Sequence, residues 1–355
     1  MITPWLEASP GVQQAVSRLP GWPFGGACGI LGAYPASWSA RMIAMSAPVP
    51  NYIPVQSRQP HRLIPCPRLE RAVDRMMREM SSPLTLADLA DAAHYSPWYL
   101  VRRFQTRYST TPQAFLWKTR LETAASLLHW APHLPIGEVA RQVGFSSAAT
   151  FSRAFHREFG FTPSAWRKGE PQTRDWLRET LGPQSYQPGG RIAGTEADYI
   201  WSFEEVAASM VLEEWPTMRC LYQREVGDYG SHLNEMWVQF ANYCRRNQLD
   251  QSHWYGLIWN DPGTTPAGRR RYDTAVQIQP GTRIPRGFGE CRILGGRWAV
   301  FRFKGTTDDI GPRWRDLMHV WFPRAGLTPD PSRPRLERYT ADFGDGEIDL
   351  CLPVL

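Results

Sequence analysis

The chain repeats itself between residues 84 and 168, and this duplication limits the possible folds more than any other feature. Four residues recur fifty positions further on: Leu86, Leu89, Ala90 and Ser96 as Ile136, Val139, Ala140 and Ser146. After an insertion of one residue, five more recur: Arg102, Phe104, Tyr108, Thr111 and Pro112 as Arg153, Phe155, Phe159, Thr162 and Pro163. This part of the chain therefore contains two copies of one small unit.

Each copy has the residue order of a short helix, a tight turn and a second, amphipathic helix. A small residue, Ala90 or Ala140, belongs to the first helix, and the turn follows at Tyr95-Ser96 or Phe145-Ser146. Signals for helix starts stand at Thr85 with Asp88, Ser96-Pro97, Thr111-Pro112 and Thr162-Pro163. This order predicts a helix-turn-helix in each copy.

The second helix of such a unit enters the major groove of DNA. Its apolar positions must face the core, and these are Leu100, Phe104, Phe151 and Phe155. The residues left for the groove are Trp98, Tyr99, Val101, Arg102 and Gln105 in the first copy and Ala149, Thr150, Ser152, Arg153 and His156 in the second. Arginine can donate two bonds to guanine or bind phosphate, so Arg102 and Arg153 are the foremost candidates. The alternative is that both are ordinary solvated helix faces.

The excess positive charge of the chain is concentrated in this same region. Residues 66–168 hold 14 Lys and Arg against 8 Asp and Glu, which accounts for the whole formal net charge of +6. The remaining cationic and anionic side chains balance each other. A local cationic excess of this kind is expected of a segment that meets phosphate.

Residues 84–168 resemble the AraC/XylS-type DNA-binding domain, and "GFSSAATFSRAFHREFGFTP" is its most specific motif here. The resemblance implies seven helices, with two recognition helices held by a connecting helix at Gln113–Trp130 and spaced by about one turn of DNA, ~34 Å. The family's base-contacting positions fall here on Trp98, Val101, Arg102, Ala149, Ser152 and Arg153. Several members carry Gln where this chain has Val101 and Ala149, and Val101 can instead meet a thymine methyl.

A fainter repeat occupies residues 209–355. The segments "MRCLYQREVGDYGSHLNEMW" and "RWAVFRFKGTTDDIGPRWRDLMHVW" each run from a strand into an amphipathic helix, and two strand-like stretches follow each of them. Two strand-helix-strand-strand units related by a pseudo-twofold axis would leave a groove between them. The predicted fold is therefore multidomain, with an all-α double helix-turn-helix domain followed by an α+β domain.

The stretches "YGLIWNDPGTTPAGRRRYDTAVQI", "GGRWAVFRFKG", "VWFPRAG" and "LERYT" resemble the GyrI-like small-molecule-binding fold. The resemblance implies an aromatic pocket with a buried carboxylate that receives lipophilic, often cationic, compounds. The family's acidic position matches Glu337, and the candidate aromatic residues around it are Tyr339, Trp259, Tyr255, Tyr272 and Trp237. Two alternatives stay open: Glu337 pairs with Arg335 or Arg338 on a solvated strand, and the aromatic residues are plain core.

The expected organisation follows from these segments. Residues 1–65 are rich in Pro and Gly and are expected to be a disordered or loosely packed extension, unless translation begins later, at Met42 or Met45. Residues 66–168 form the DNA-binding domain, 169–208 a linker and 209–355 the ligand-binding domain. Six scattered cysteines without a CxxC pair argue against a metal site or a disulfide framework. No secretory signal or membrane span is recognisable, which predicts a cytoplasmic protein.

These features together predict a sequence-specific transcription regulator, such as an activator, whose C-terminal domain senses a small, lipophilic and cationic effector. It is not expected to be an enzyme or to need a cofactor. The expected partners are double-stranded DNA and the effector, with RNA polymerase as a further candidate and no membrane. Two alternatives for the C-terminal domain are a hydrolase that uses Glu337 with Tyr339 and a module that binds another protein.

Overall fold

The computed structural model describes residues 66–169, 203–227, 232–249, 253–305, 309–340 and 346–355. The predicted extension, 1–65, and most of the predicted linker, 170–202, lie outside the described residues. The last residues of that linker form a short helix, α8 (Phe203–Ser209).

Residues 66–169 are helical throughout, as the duplicated pattern predicts. The helices described there are α1 (Pro67–Arg78), α2 (Leu86–Ala93), α3 (Pro97–Tyr108), α4 (Pro112–Trp130), α5 (Ile136–Gln142), α6 (Ala148–Phe159) and α7 (Pro163–Lys168). The predicted capping box between Thr85 and Asp88 is present. Ser96, Thr111 and Thr162 each accept a hydrogen bond from the third residue after them, so these three predicted helix starts are confirmed.

The turn before α6 differs in one detail from the predicted repeat. The side chain that caps α6 belongs to Ser147, whereas the repeat pattern pairs Ser96 with Ser146. The inserted residue therefore lies in the turn itself, before the cap, and Ser147 is the structural equivalent of Ser96. The helices α3 and α6 consequently match over their whole length with a constant offset of 51 positions.

The two units share one core around α4. The predicted inward residues Leu100, Phe104, Phe151 and Phe155 are all buried. Trp166 of α7 packs edge-on to Phe155, and its indole N–H donates to the carbonyl oxygen of Ala125 in α4 at 3.1 Å. The connecting helix thus touches both units, and this contact fixes the position of one relative to the other.

The rest of the described chain forms one eight-stranded antiparallel sheet. Its strands are β1 (Met210–Trp215), β2 (Met218–Val226), β3 (His253–Ile258), β4 (Arg271–Gln277), β5 (Gly289–Ile293), β6 (Gly296–Lys304), β7 (Arg335–Thr340) and β8 (Glu347–Pro353). The spatial order is β1-β6-β8-β7-β3-β4-β2-β5. The described helices among them are α9 (His232–Arg246), α10 (Ile310–Asp316) and α11 (Phe322–Ala325), with a π-helical segment at Leu317–Trp321.

The strand order confirms the two predicted strand-helix-strand-strand units. The first unit is β2-α9-β3-β4, and the second begins at β6, continues through α10 and α11, and ends with β7 and β8. The units meet where β3 pairs with β7. The two edge strands are exchanged between the units: β1, which precedes the first unit in the chain, pairs with β6 of the second, and β5, which precedes the second unit, pairs with β2 of the first. The helices cover one face of the sheet, where the larger core of this domain lies.

The helical domain packs against the sheet through a fully buried arginine. Arg224 of β2 donates through Nε and Nη2 to both carboxylate oxygens of Asp273 in β4, at 2.6 and 2.7 Å. Its Nη1 donates across the domain boundary to Glu70 and Asp74 of α1, at 2.8 and 2.7 Å. Tyr108 of α3 donates to the second oxygen of Glu70 at 2.6 Å. The three carboxylates and the cation are therefore joined in one cluster.

Burial and charge fix the protonation of this cluster. Burial opposes the charged form of Arg224, but Asp273 and Asp74 raise its pKa well above the usual value. Burial also acts to raise the pKa of Glu70, yet Arg224 and the Tyr108 hydroxyl hold it below the usual value. The pKa of Asp273 is raised, chiefly by its burial. Arg224 therefore stays positive, and it is the group on which the buried negative charges depend.

Replacing Arg224 by Gln should leave buried carboxylates without their cation, because the amide cannot bond Glu70, Asp74 and Asp273 together. We expect a loss of about 3–5 kcal/mol in the free energy of unfolding, measured by urea denaturation. The matched control is Lys304→Gln, since the exposed Lys304–Glu347 pair should contribute at most about 1 kcal/mol. Equal effects of the two substitutions would contradict the central role of Arg224.

Candidate functional site

The first candidate recognition helix, α3, presents large aromatic side chains to solvent. Trp98 is 67% exposed and Tyr99 is 40% exposed, although both are large hydrophobic residues. The guanidinium of Arg102 lies 5.3 Å from the Trp98 ring centroid, which orients it along the same face. Arg102 and Gln105 are exposed and Val101 is half-buried. The five candidate residues of the first unit thus form one accessible surface.

The second candidate helix, α6, presents a flatter surface made of smaller side chains. Ala149, Arg153 and His156 are exposed, and Thr150 and Ser152 are half-buried. The Ser147 hydroxyl lies 3.0 Å from that of Thr150 and accepts a hydrogen bond from its backbone N–H. This start of α6 offers small groups and a positive charge, which suits close approach to a sugar-phosphate backbone.

A glycine fixes the turn before α6. Gly144 has a φ of +84°, and a Cβ there would lie 2.3 Å from the carbonyl oxygen of Met80. Arg120 of α4 donates to the same carbonyl and to that of Ser82, each at 2.8 Å. The second turn, the connecting helix and the loop after α1 are therefore locked together, and this positions α6.

A buried carboxylate surrounded by aromatic side chains lies on the helix-covered face of the sheet. Glu337 of β7 has no exposed surface. Its Oε2 accepts from the Tyr272 hydroxyl at 2.7 Å and from the Tyr339 hydroxyl at 2.9 Å. Its Oε1 accepts from the indole N–H of Trp314 at 3.2 Å. Trp237 closes the cluster, with its ring 5.6 Å from that of Tyr339.

Four of the six residues predicted for the ligand pocket thus come together, namely Glu337, Tyr339, Tyr272 and Trp237. The other two are Tyr255, which lies on the opposite face of the sheet, and Trp259, which follows the last residue of β3. Tyr255 is buried in the second sheet cluster and donates to the sulfur of Met218 at 3.7 Å. Trp259 donates to Asp273 at 2.6 Å, so it belongs to the domain boundary.

The predicted alternative partners of Glu337 are engaged elsewhere. Arg338 points to the other face, where it pairs with Asp349 and Glu213. Arg335 donates to the carbonyl oxygen of Asn260 at 3.0 Å. The described contacts of Glu337 are therefore bonds from aromatic donors, and Glu337 does not lie on a solvated strand.

Two residues of this cluster were missed by the sequence interpretation. Gly256 of β3 stands opposite Glu337, and a Cβ there would lie 2.2 Å from the Tyr272 hydroxyl. Trp314 of α10 covers the carboxylate, directly before the π-helical segment Leu317–Trp321. Glycine inside a predicted strand often signals a close approach, and it is the one sequence signal that was available.

Trp314 also connects the carboxylate to the helical domain. The Arg335 guanidinium lies 5.5 Å from the Trp314 ring centroid and 4.9 Å from that of Trp130, the last residue of α4. A chain of contacts thus runs from Glu337 through Trp314 and Arg335 to Trp130, and so from the buried carboxylate to the helix that joins the two helix-turn-helix units. Sequence reasoning could not find this link, since its members are far apart in the chain.

Chemically, the cluster can hold a negative charge away from water and exchange its donors for a cation. A buried carboxylate is costly unless it is bonded, and here three aromatic donors supply the bonds. The faces of the same rings can attract a cation by roughly 0.5–2 kcal/mol per good contact.

Comparison with known proteins matches both domains. Residues 89–169 match the family described as "Helix-turn-helix domain", and residues 209–355 match the "GyrI-like small molecule binding domain". The transcriptional regulator Rob of Salmonella typhimurium is 32% identical over 280 residues, which cover 76% of this chain and 91% of Rob. That similarity is too long to be confined to one of the two domains.

Two other relatives each match a part of the chain. The RCS-specific HTH-type transcriptional activator RclR of Escherichia coli is 36% identical over 102 residues, 29% of this chain and 36% of RclR, so the chain spans about a third of that relative. DNA gyrase inhibitor 1 of Dickeya dadantii is 25% identical over 135 residues, 36% of this chain and 88% of that protein. Among the described residues, no helix is long and apolar enough to cross a bilayer.

The contact at Gly256 yields a test of the cluster. Gly256→Ala should push Tyr272 away from Glu337, because the added methyl group would overlap the tyrosine hydroxyl. We expect about 1–3 kcal/mol of destabilisation in urea unfolding, together with a change in tryptophan fluorescence from Trp314. The control is Gly268→Ala, where a Cβ would meet nothing within 4 Å. An unaltered stability of the Gly256 variant would refute the close packing.

Proposed function

Because the chain belongs to the AraC-type transcription regulators that carry a GyrI-like domain, we propose that it recognises specific DNA sequences through α3 and α6 and senses a lipophilic cation at Glu337. The observation that carries the sensing part is the fully buried carboxylate, which accepts hydrogen bonds from Tyr272, Tyr339 and Trp314. Effector binding would change the DNA-bound state of the protein.

The two helices would act differently on DNA. Arg102, which lies over Trp98, would donate to a guanine, and Val101 beside it would meet a thymine methyl. On α6, Ala149 and Ser152 are too short to reach far, so Arg153 would bind the phosphate backbone. Base readout would then come mainly from the first unit, and the second would contribute affinity.

The effector signal would travel through Trp314. A cation that binds Glu337 would compete with the indole N–H of Trp314 at Oε1, and the same ring stacks against Arg335. Arg335 in turn stacks against Trp130 of α4. A shift of Trp314 would therefore alter the contact on the helix that sets the spacing of the two recognition helices. The shift would take place at the π-helical segment after α10, since such segments often mark functional sites.

Two other roles of the C-terminal domain are secondary proposals. A hydrolase would use Glu337 with Tyr339, whose hydroxyl lies 2.9 Å away, but in this geometry the carboxylate is occupied by donors. A protein-binding role is suggested by the similarity to DNA gyrase inhibitor 1. We further propose action in the cytoplasm on double-stranded DNA, with RNA polymerase as a partner.

Substitution of each arginine should separate base readout from phosphate binding. For Arg102→Ala we expect a loss of about 1–3 kcal/mol at the preferred site and a relaxed preference at one base pair. Arg153→Ala should weaken all sites alike and reduce the dependence of affinity on salt. The measurement is competition binding of the full chain to a selected site and its single-base variants at two salt concentrations.

The control is Arg292→Gln, an exposed arginine on the sheet domain, which should change neither property. An equal loss of sequence preference in the Arg102 and Arg153 variants would contradict the division of roles. Unaltered binding in both would place the DNA contact elsewhere.

The effector site can be tested with two ligands of the same shape. Glu337→Gln should weaken binding of benzyltrimethylammonium, because the ion pair that compensates the lost hydration of the cation disappears. It should spare neopentylbenzene, the uncharged isostere. The measurement is fluorescence titration of the full chain. Tyr255→Phe serves as the control, since Tyr255 lies on the other face of the sheet and should affect neither ligand.

Equal affinity of the parent and the Glu337 variant for the cation would show that Glu337 lies outside the site. Turnover of aryl esters that disappears in the same variant would favour the hydrolase.

A further inference from the structure

A cleft lies between the two domains, and it extends to Trp259, whose indole N–H donates to Asp273 of the buried Arg224 cluster. It holds about 660 Å³ of empty space, a volume that includes open solvent. Its apolar walls come from both domains, and they are Met77, Leu127, Trp130, Met318, Phe322 and Leu352. Ligand sites occur preferentially at such domain boundaries.

The carboxylates that line the cleft are already bonded. Glu122 pairs with Arg269 and accepts from Thr265. Asp261 accepts from Ser126 at 2.8 Å and from the backbone N–H of Gly263 at 2.9 Å. These bonds tie α4 to the loop between β3 and β4, so the acidic groups here serve domain packing.

The third carboxylate is also satisfied. Asp330 accepts from Arg333 at 2.7 Å and from Ser332 at 2.6 Å. Arg333 is further engaged by the carbonyl oxygens of Gly295, Arg297 and Val354. This arginine is therefore fully committed to the sheet domain and has little capacity for a ligand.

Arg335 is different from the other charged groups of the cleft. It is half-buried between the rings of Trp130 and Trp314, and its Nη2 donates to the Asn260 carbonyl oxygen at 3.0 Å. Within the described ranges, no carboxylate oxygen lies within 4.0 Å of its guanidinium nitrogens. The remaining donors of a planar guanidinium match the two oxygens of a carboxylate.

We propose that this cleft is a second effector site, which takes an amphipathic monocarboxylate. Its carboxylate would bind Arg335, and its aryl or alkyl body would lie between Met318, Phe322 and Leu352 on one side and Leu127 on the other. A half-buried cation without an anionic partner gains most from such a ligand, because the water around it is already reduced. The ligand class is opposite in charge to that proposed for Glu337.

A ligand in the cleft would touch both domains and would favour their docked arrangement by mass action. It would also hold Arg335, the residue between Trp314 and Trp130. Only this regulatory consequence rests on the proposed function, since binding of the carboxylate can be measured without DNA or a cation.

The experiment is calorimetric titration of the full chain with 4-phenylbutyrate and with 4-phenylbutyramide. We expect Arg335→Gln to weaken the carboxylate at least about tenfold and to leave the amide unchanged, as for the loss of a charge-assisted pair. Arg335→Lys keeps the charge but lacks the planar fork, so it should retain part of the affinity. This second variant keeps the test valid if Arg335→Gln does not fold.

A substitution in the other domain tests whether the site is shared. Thr123 of α4 lines the cleft and is half-buried, so Thr123→Phe should fill the space and weaken both compounds. Arg292→Gln is the control and should leave both affinities unchanged. The proposal is overturned if the parent does not bind 4-phenylbutyrate or if Arg335→Gln binds it equally well.

Discussion

Arg224 holds three buried carboxylates at the boundary between the helical and the sheet domain, and the arrangement of both domains depends on it. Because Glu70 and Asp74 belong to α1 and Asp273 to β4, the ionic bonds cross from one domain to the other. A buried charge without partners is far costlier than an exposed one, so the docked arrangement is the one that satisfies all four groups. Tyr108 extends the cluster to α3, the first candidate recognition helix.

The buried cluster around Glu337 shares strand β4 with this boundary. On β4, Asp273 faces Arg224 while its neighbour Tyr272 faces Glu337, because successive side chains of a strand point to opposite faces. On β7, Glu337 and Arg335 are two residues apart and share Trp314. Only one or two residues therefore separate Glu337 from a contact with the helical domain. A change at this carboxylate would reach the helical domain through them, as the sensing proposal requires.

Much of this architecture is predictable from local patterns. The duplicated helix-turn-helix, its caps at Thr85, Ser96, Thr111 and Thr162, and the two strand-helix-strand-strand units follow from short-range periodicity and capping chemistry. Glu337 with Tyr339 and Tyr272 could be named because the resemblance supplied the motif. Tyr255 was grouped with them, yet it lies on the other face, since the face of each residue depends on the register of strands distant in sequence.

The sequence by itself determined the helices and the strands, because each depends on neighbours a few residues away, and the resemblance supplied Glu337 as the acidic position. Only the tertiary structure decided which groups meet across the domain boundary. Arg224 with Glu70 and Arg335 with Trp130 are separated by more than a hundred residues. The Arg224 cluster forms where α1 packs against the sheet, because burial makes an unpaired charge costly there. Arg335 meets Trp130 through the packing of α4, and the face of the aromatic ring attracts the guanidinium.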